Sequence, residues 1–581
     1  MFPEFKKSSL LAWAIDLILI CLLVFTFGFD RFEVYKPYAI LALPLLLLVL
    51  LGVNFYQFKS SKTNISKHKI TRFNLWFLSL VLLTELVVLF FNYENDLLNA
   101  YIHSRYILEY GFFFYFFIRL TLLVRRIFSA YFNPALLFVL SFALVALTGT
   151  FLLMLPAATT HGITFVDALF TATSATAVTG LIVLDTARDF TTFGQTIILV
   201  LIQIGGLGML TFTSFFAYFF KSGSTFSESL YMREILGNEK LSNVMSIAMQ
   251  IVLFSLVVEI IGALFIYHSL YSSDVFADRG FAAIFHAISA YCNAGFVLAT
   301  NNIMETGLEF NYYMQWAIMA LIVLGGLGYG IASNFIQYSK KFIFNLFNKN
   351  NKHFLSRVIN LNTKIVMYTT LILIISGAAF VLIAEQRTIL DEHNTAFGKF
   401  TTAMFTSITT RTAGFNSVDF SDMTVPGIFF MILLMWIGAS PASTGGGIKT
   451  TTFALAVMNV IAIAKGKKNI EIGTRRVPAE AVQKAFAIML ISLVSIGVGI
   501  TLILIFDPQF TLLQVAFESF SAFSTVGLSL GITDGLSTES KYVVILLMFF
   551  GRIGIINLLI GLLQNMRTSQ YTYPEESILI T

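Results

Sequence analysis

Charge is what this sequence has least of. Aspartate, glutamate, lysine and arginine make up 12% of its 581 residues, about half the share of an ordinary soluble domain. Hydrophobic residues reach 57%, with 61 phenylalanines, and the mean hydropathy is +0.81. No soluble fold hides so much apolar surface, so the composition implies an all-α polytopic membrane protein. Cysteine is scarce as well. Cys21 and Cys292 lie far apart in apolar surroundings, which excludes a disulfide framework and a thiolate metal site. None of the seven histidines pairs with another histidine or a carboxylate at metal-ligand spacing. There is no nucleophile elbow and no dinucleotide-binding fingerprint. An intramembrane enzyme or sensor is therefore the distant alternative, and no covalent cofactor is expected. The net charge of +5 is ordinary for basic cytoplasmic loops and gives no argument for nucleic acid.

Long apolar runs are what is present. Four occupy the first quarter: about Leu10–Gly28, Tyr38–Tyr56, Leu75–Asn92 and Leu108–Val124. The first follows Lys6 and Lys7 like a signal peptide, but it is long enough to span and no cleavage site follows, so it reads as a retained helix. Lys59, Lys62, Lys67, Lys69 and Arg72 crowd one loop, which places that loop and the N-terminus in the cytoplasm. Residues 1–130 thus form an N-terminal four-helix membrane extension. Arg119, Arg125 and Arg126 sit where a voltage sensor would. A sensor presents arginines at every third residue, and here Leu122 fills the gap between 119 and 125, so the region reads as an accessory bundle.

From Asn133 onward a pattern repeats four times: a spanning run, a half-length run with a polar tip, a second spanning run and a basic loop. The units are 131–225, 240–345, 360–468 and 478–581. The polar tips are Ala177-Val178-Thr179-Gly180, Cys292-Asn293-Ala294-Gly295, Arg411-Thr412-Ala413-Gly414 and Ser524-Thr525-Val526-Gly527, each followed by a large apolar residue. The four glycines lie 115, 119 and 113 residues apart, a spacing that marks internal repeats. Non-helical backbone inside a bilayer is tolerated only in protein or along a water-filled path. Four such tips meeting on one axis, with pseudo-fourfold symmetry, would present rings of backbone carbonyls that replace the hydration shell of a cation. Glycine permits the required backbone. The short helix before each tip aims its negative carbonyl end at the axis, and Ser and Thr hydroxyls can tie the loop backbone down. Ser524-Thr525-Val526-Gly527-Leu528 resembles the first part of the potassium-channel filter sequence TVGYG, and that resemblance makes K+ the expected ligand at this filter.

These residues carry a resemblance. "TTRTAGFNSVD" (Thr409–Asp419), "GASPASTGGGIKTTTF" (Gly438–Phe453), "IGGLGMLTF" (Ile204–Phe212), "FSTVGLSLGIT" (Phe523–Thr533) and "YPEESILIT" (Tyr573–Thr581) resemble the Trk/Ktr/HKT superfamily of potassium or sodium transporters, which are built from four channel-like helix–pore loop–helix repeats. The resemblance covers about Asn133 to the C-terminus. It implies a gate: in that superfamily the stretch matching Gly438–Gly447 is an intramembrane loop below the filter. Its Ala439, Ser440, Ser443, Thr444, Gly445, Gly446 and Gly447, with Lys449 after it, cannot continue a regular helix. Arg552, within the last span, matches an arginine near that gate. A lysine or arginine at such depth costs roughly 2.5–3.5 kcal/mol unless paired or hydrated. The resemblance further implies a homodimer and a separate cytoplasmic nucleotide-binding regulatory ring. All four filter glycines are present, whereas in plant members a serine at the first goes with sodium. Potassium uptake is the expectation, with sodium or non-selective cation transport as the alternative. Glu259, Glu385 and Glu518 either attract cations or pair structurally, Arg411 being one possible partner. The GGLG clusters at Gly205–Gly208 and Gly325–Gly328 read as close-packing points inside spanning helices.

Overall fold

The computed structural model describes residues 36–60, 65–91, 134–208, 244–271, 275–347, 359–393, 395–467, 469–472 and 475–554, with nine further residues, single or in adjacent pairs, between 18 and 115. Apart from a two-residue hairpin, β1 (Glu471–Ile472) with β2 (Arg475–Arg476), the regular structure of these residues is helical.

In the N-terminal region α1 (Lys36–Ser60) packs on α2 (Ile65–Phe91). Leu43, Leu47, Leu50, Leu78 and Val81 form the contact, joined by Leu108, Phe112 and Tyr115. Asn54 sits buried there. Its side-chain amide donates to Leu50 O (2.8 Å) and the Tyr115 hydroxyl (3.3 Å), and Asn74 donates to Asn54 Oδ1 (3.3 Å). Hydrogen bonds of this kind hold helices together where lipid removes the hydrophobic drive. Lys67, Lys69 and Arg72, expected in a loop, lie instead on the first turns of α2, because no Gly or Pro between Ile65 and Asn74 stops the helix from starting early. The other two N-terminal runs, and Arg119, Arg125 and Arg126, fall outside the described residues apart from those nine positions.

Four units then follow one plan. The first is α3 (Pro134–Leu153), α4 (Phe165–Ala177) and α5 (Thr192–Leu207). The second is α6 (Val244–Ser269), α7 (Arg279–Cys292) and α8 (Tyr312–Leu327), continued by α9 (Tyr329–Phe347). The third is α10 (Leu361–Ala384), α11 (Ala396–Thr409) and α12 (Val425–Trp436), with α13 (Thr450–Ala464) beyond a loop. The fourth is α14 (Ala479–Phe506), α15 (Leu512–Ser524) and α16 (Thr538–Ile553). Each short middle helix starts at a cap, Thr164, Asp278, Thr395 or Thr511, whose side chain accepts from the backbone N–H three residues on. Such a cap stabilises a helix by about 1 kcal/mol.

The units close into a ring. The second helix of each packs on the short helix of a neighbour: α5 on α7, α8 on α11, α12 on α15 and α16 on α4. At the last junction Lys541 of α16 meets Asp167 in the first turn of α4 at 2.7 Å, with both side chains largely shielded.

The second helices are shorter than the apolar runs suggest. Of the described helices, three are long and apolar enough to cross a membrane singly, or four if the bent α8–α9 pair counts as one span. The eight full core spans expected of these units are thus partly broken ones. The reason lies in the glycine clusters. Helices α5, α8 and α16 stop at Gly208, Gly328 and Gly554, with φ of 77°, 74° and 82°, a left-handed region that favours glycine. The chain turns by 102° between α8 and α9. The expectation that the GGLG clusters lie inside continuous helices is corrected accordingly: their last glycine ends the helix. An earlier glycine does pack closely, since a Cβ at Gly205 or Gly325 would collide with Thr176 O or Tyr291 O, and one at Gly551 with Phe523 O.

Candidate functional site

The four polar tips converge. Each short helix is buried over its second half. Two residues before each glycine the chain takes a left-handed conformation: Val178 (φ 58°), Asn293 (62°), Thr412 (70°) and Thr525 (52°). Gly180, Gly295, Gly414 and Gly527 follow at φ of 90°, 69°, 75° and 93°. Asparagine tolerates this region. For the β-branched Val178, Thr412 and Thr525 it costs on the order of 1–3 kcal/mol each and persists only where the surroundings enforce it.

Hydroxyls do the enforcing. Gly180 N–H donates to Ser174 Oγ (3.1 Å), whose hydroxyl donates on to Leu181 O (2.7 Å). Ser289 Oγ donates to Phe296 O (2.8 Å), Thr409 Oγ1 to Phe415 O (2.7 Å), and Ser521 Oγ accepts from Gly527 N–H (3.1 Å). One strut per unit therefore ties the loop to its own short helix. With its amide turned to donate to Ala290 O (3.1 Å) and Ile322 O (3.3 Å), Asn293 anchors the second loop further.

The glycines then touch in cyclic order. A Cβ at Gly180 would strike Ala294 O, one at Gly295 would lie 2.8 Å from Ala413 O, one at Gly414 would strike Val526 O, and one at Gly527 would strike Thr179 O. In each case the Cα of the next glycine lies 3.0–3.2 Å from the added carbon. Thr179, Ala294, Ala413 and Val526 thus place their carbonyls beside a neighbouring unit's glycine, forming a closed ring of backbone. Ala177, Cys292, Arg411 and Ser524 precede it at the helix ends, and all are buried. Against one face of the ring lies a cavity of about 230 Å³, lined by Gly180, Gly295, Gly527, Asp185, Asn416 and Thr533 among others.

The other face meets the Gly438–Lys449 loop. Helix α12 stops at Trp436 and α13 starts at Thr450, so the expected interruption is present. The loop neck is closed by Gly438 N–H donating to Ile448 O (2.8 Å) and Thr450 N–H to Ala439 O (3.1 Å). Its tip caps α8: Ser440 N–H donates to Gly326 O (3.0 Å), Ser440 Oγ to Leu327 O (2.6 Å) and Thr444 N–H to Gly325 O (3.3 Å). Ser443 Oγ donates back to Ser440 O (2.6 Å), and Lys449 Nζ to Gly445 O (2.6 Å). Gly445 and Gly446 press on the hydroxyls of Thr412 and Thr525, leaving no room for a Cβ, and Gly447 lies against Ser524. Arg552, in the last turn of α16, donates to Thr444 O and to Gly205 O.

The three glutamates have structural partners. Glu385 accepts from Thr424 N–H (3.2 Å), the Thr424 hydroxyl (2.5 Å) and the Thr388 hydroxyl, fixing the start of α12. Glu259 accepts from Gln203 Nε2 (3.1 Å), and Glu518 from the Thr533 hydroxyl (2.5 Å). None pairs with Arg411, whose guanidinium donates to Gly438 O (3.3 Å). Among the described residues no group of three or more His, Cys, Asp or Glu could hold a metal.

This geometry defines a class: multi-pass helical membrane proteins in which short helices and glycine-bearing loops converge on one axis from several units. The comparisons narrow it. The family model for TrkH, described as a cation transport protein, matches residues 107–570. The Ktr system potassium uptake protein B of Bacillus subtilis is 38% identical over 423 residues, covering 73% of this chain and 91% of that protein. The potassium/sodium uptake protein NtpJ of Enterococcus hirae is 34% identical over 455 residues, covering 77% and 97%. The crystal structure of the potassium transporter TrkH from Vibrio parahaemolyticus superposes with a TM-score of 0.58 at 15% identity, over 95% of this chain and 98% of that one, a likeness of fold. The chain belongs to the TrkH family of cation transport proteins, among its Trk/Ktr-type potassium transporters, and is a transporter, not an enzyme.

Proposed function

We propose that this protein takes up potassium across the cytoplasmic membrane, with its N-terminus in the cytoplasm. The glycine ring is a four-repeat selectivity filter and the Gly438–Lys449 loop is its gate. The observation that carries this reading is the closed ring of Gly180, Gly295, Gly414 and Gly527, each packed against the backbone carbonyl beside the next. Carbonyl oxygens held by hydroxyl struts can strip water from a monovalent cation without collapsing on it. The four short helices add the negative ends of their dipoles. The membrane potential supplies about 2.3 kcal/mol per charge per 100 mV, enough to drive uptake.

The loop lies on the exit side of the ring. It fills the space against Thr412 and Thr525, and Arg552 holds its Thr444 carbonyl. A guanidinium there both fixes a loop rich in glycine and sets a positive charge in the way of a cation.

A sodium-conducting alternative has one specific support, the potassium/sodium name of the Enterococcus hirae relative. The unbroken set of four glycines favours potassium. Relatives named as parts of a Ktr system support a separate partner component. From the family resemblance we propose that the chain works as a homodimer, and that this partner is a cytoplasmic nucleotide-binding ring seated on its basic linkers. The test is rubidium-86 uptake into liposomes holding the purified protein under a potassium-diffusion potential. Uptake that follows the potential supports conduction; uptake no greater than that of protein-free liposomes refutes it.

A further inference from the structure

Arg411 stands out against the chemistry around it. It belongs to the third tip, three residues before Gly414, yet its side chain does not enter the ring. It is buried, and its Nη2 donates to Gly438 O at 3.3 Å. Its Nε has no protein partner among the described residues, and it forms no ion pair there. With Gly326, Ile374, Ile408 and Ala439 it lines a cavity of about 20 Å³, room for one water. A buried cation without a carboxylate is costly, and a merely apolar contact at this spot would be met better by leucine or methionine.

What the guanidinium reaches is the neck of the loop. Gly438 is where α12 gives way, and its own N–H closes the neck on Ile448 O. The same stretch touches the third tip twice more: a Cβ at Gly438 would lie 3.3 Å from Thr412 Cγ2, and Gly445 presses on the Thr412 hydroxyl. Arg552 holds the loop at Thr444, near its tip. Arg411 holds it at its root, from a position two residues before Ala413, whose carbonyl belongs to the ring.

We propose that Arg411 is a positioning residue that couples the filter to the gate: its bond to Gly438 O ties the third filter segment to the root of the loop. This rests on the filter-and-gate reading above. Loss of the tie frees both ends. Arg411→Met keeps length and bulk and removes the donors. It raises flux about tenfold, the worth of one charge-assisted hydrogen bond, and at the same time lowers the potassium-to-sodium ratio. Arg411→Lys, with one ammonium in place of the planar fork, falls between wild type and Met in both respects.

The experiment measures potassium and sodium flux in liposomes for wild type, Arg411→Met, Arg411→Lys, a deletion of Ser443–Gly445, and Arg411→Met combined with that deletion. If Arg411 acts through the loop, the deletion raises flux and Arg411→Met adds nothing further to it. Additive effects on flux, or Met and wild type alike in flux and ratio, overturn the coupling while leaving the gate intact. A deletion that fails to raise flux overturns the gate itself and the coupling with it. Should the Met variant not fold, Arg411→Lys decides: flux and ratio equal to wild type contradict the proposal.

Discussion

At the scale of single residues, the ring glycines are the positions with least freedom. Serine at Gly180 must take a φ of 90° and place its Cβ on Ala294 O, a strain of about 1–2 kcal/mol before any collision. Gly180→Ser is expected to fold with a distorted ring and to lose most of its preference for potassium, read as the ratio of potassium to sodium flux. The glycines were legible in the sequence, because the repeat aligned them; that hydroxyls could tie the loops was expected, but not that Ser174, Ser289, Thr409 and Ser521 do so. The left-handed Val178, Thr412 and Thr525 were not legible: β-branched residues avoid that region, and only the packed ring imposes it. The role of Glu385 in starting α12 was open in the sequence, since Thr388 and Thr424 meet it only in three dimensions. A second residue-scale prediction concerns His393, in the loop before α11. Burial, with Lys399 adding to it against Glu392, holds its imidazole below the usual pKa, between the Tyr312 hydroxyl (3.1 Å) and the Thr402 hydroxyl (2.9 Å). The folded state thus binds fewer protons than the unfolded chain. The stability His393 lends is present above its unfolded pKa of about 6.5 and is lost as pH falls below that. The melting temperature of wild type should fall more between pH 7.5 and 5.5 than that of His393→Gln; equal slopes would contradict this.

At the scale of elements, broken helices explain more than whole ones. The Gly438–Gly447 interruption was plain from its proline and glycines, and it appears where expected. The stops at Gly208, Gly328 and Gly554 were hidden, because an apolar run continues past each and hydropathy does not register a backbone angle. These stops bring the ends of α8 and α16 to the loop, which caps the carbonyls of Gly325, Gly326 and Leu327. The gate reading makes a definite prediction here. Arg552→Ala, or removal of Ser443–Gly445, should raise flux roughly tenfold, as expected for loss of a charge-assisted bond, without altering which ion is preferred, because the ring lies beyond the barrier. Flux in liposomes with each ion in turn checks it. A changed preference at unchanged flux would make the loop part of the filter.

At the scale of the whole molecule, the cyclic packing of α5 on α7, α8 on α11, α12 on α15 and α16 on α4 turns four modest sequence matches into one axis. The even spacing of the glycines was the reason to expect like units; the identity of the contacts between them, such as Lys541 with Asp167, did not follow from spacing. The N-terminal pair α1–α2 is held by its own apolar and asparagine contacts. Because Leu122 breaks the arginine spacing that a sensor needs, neutralising Arg119 should leave the voltage dependence of current unchanged, and a clear shift in that dependence would make the region a sensor. The central claim is that the glycine ring chooses potassium. Its most direct test is rubidium-86 uptake into liposomes with rising external potassium or sodium as competitor, for wild type and Gly414→Ser side by side. The account predicts that potassium alone competes strongly with wild type and that sodium competes nearly as well with the variant. Sodium competing equally with wild type, or a variant as selective as wild type, would contradict it.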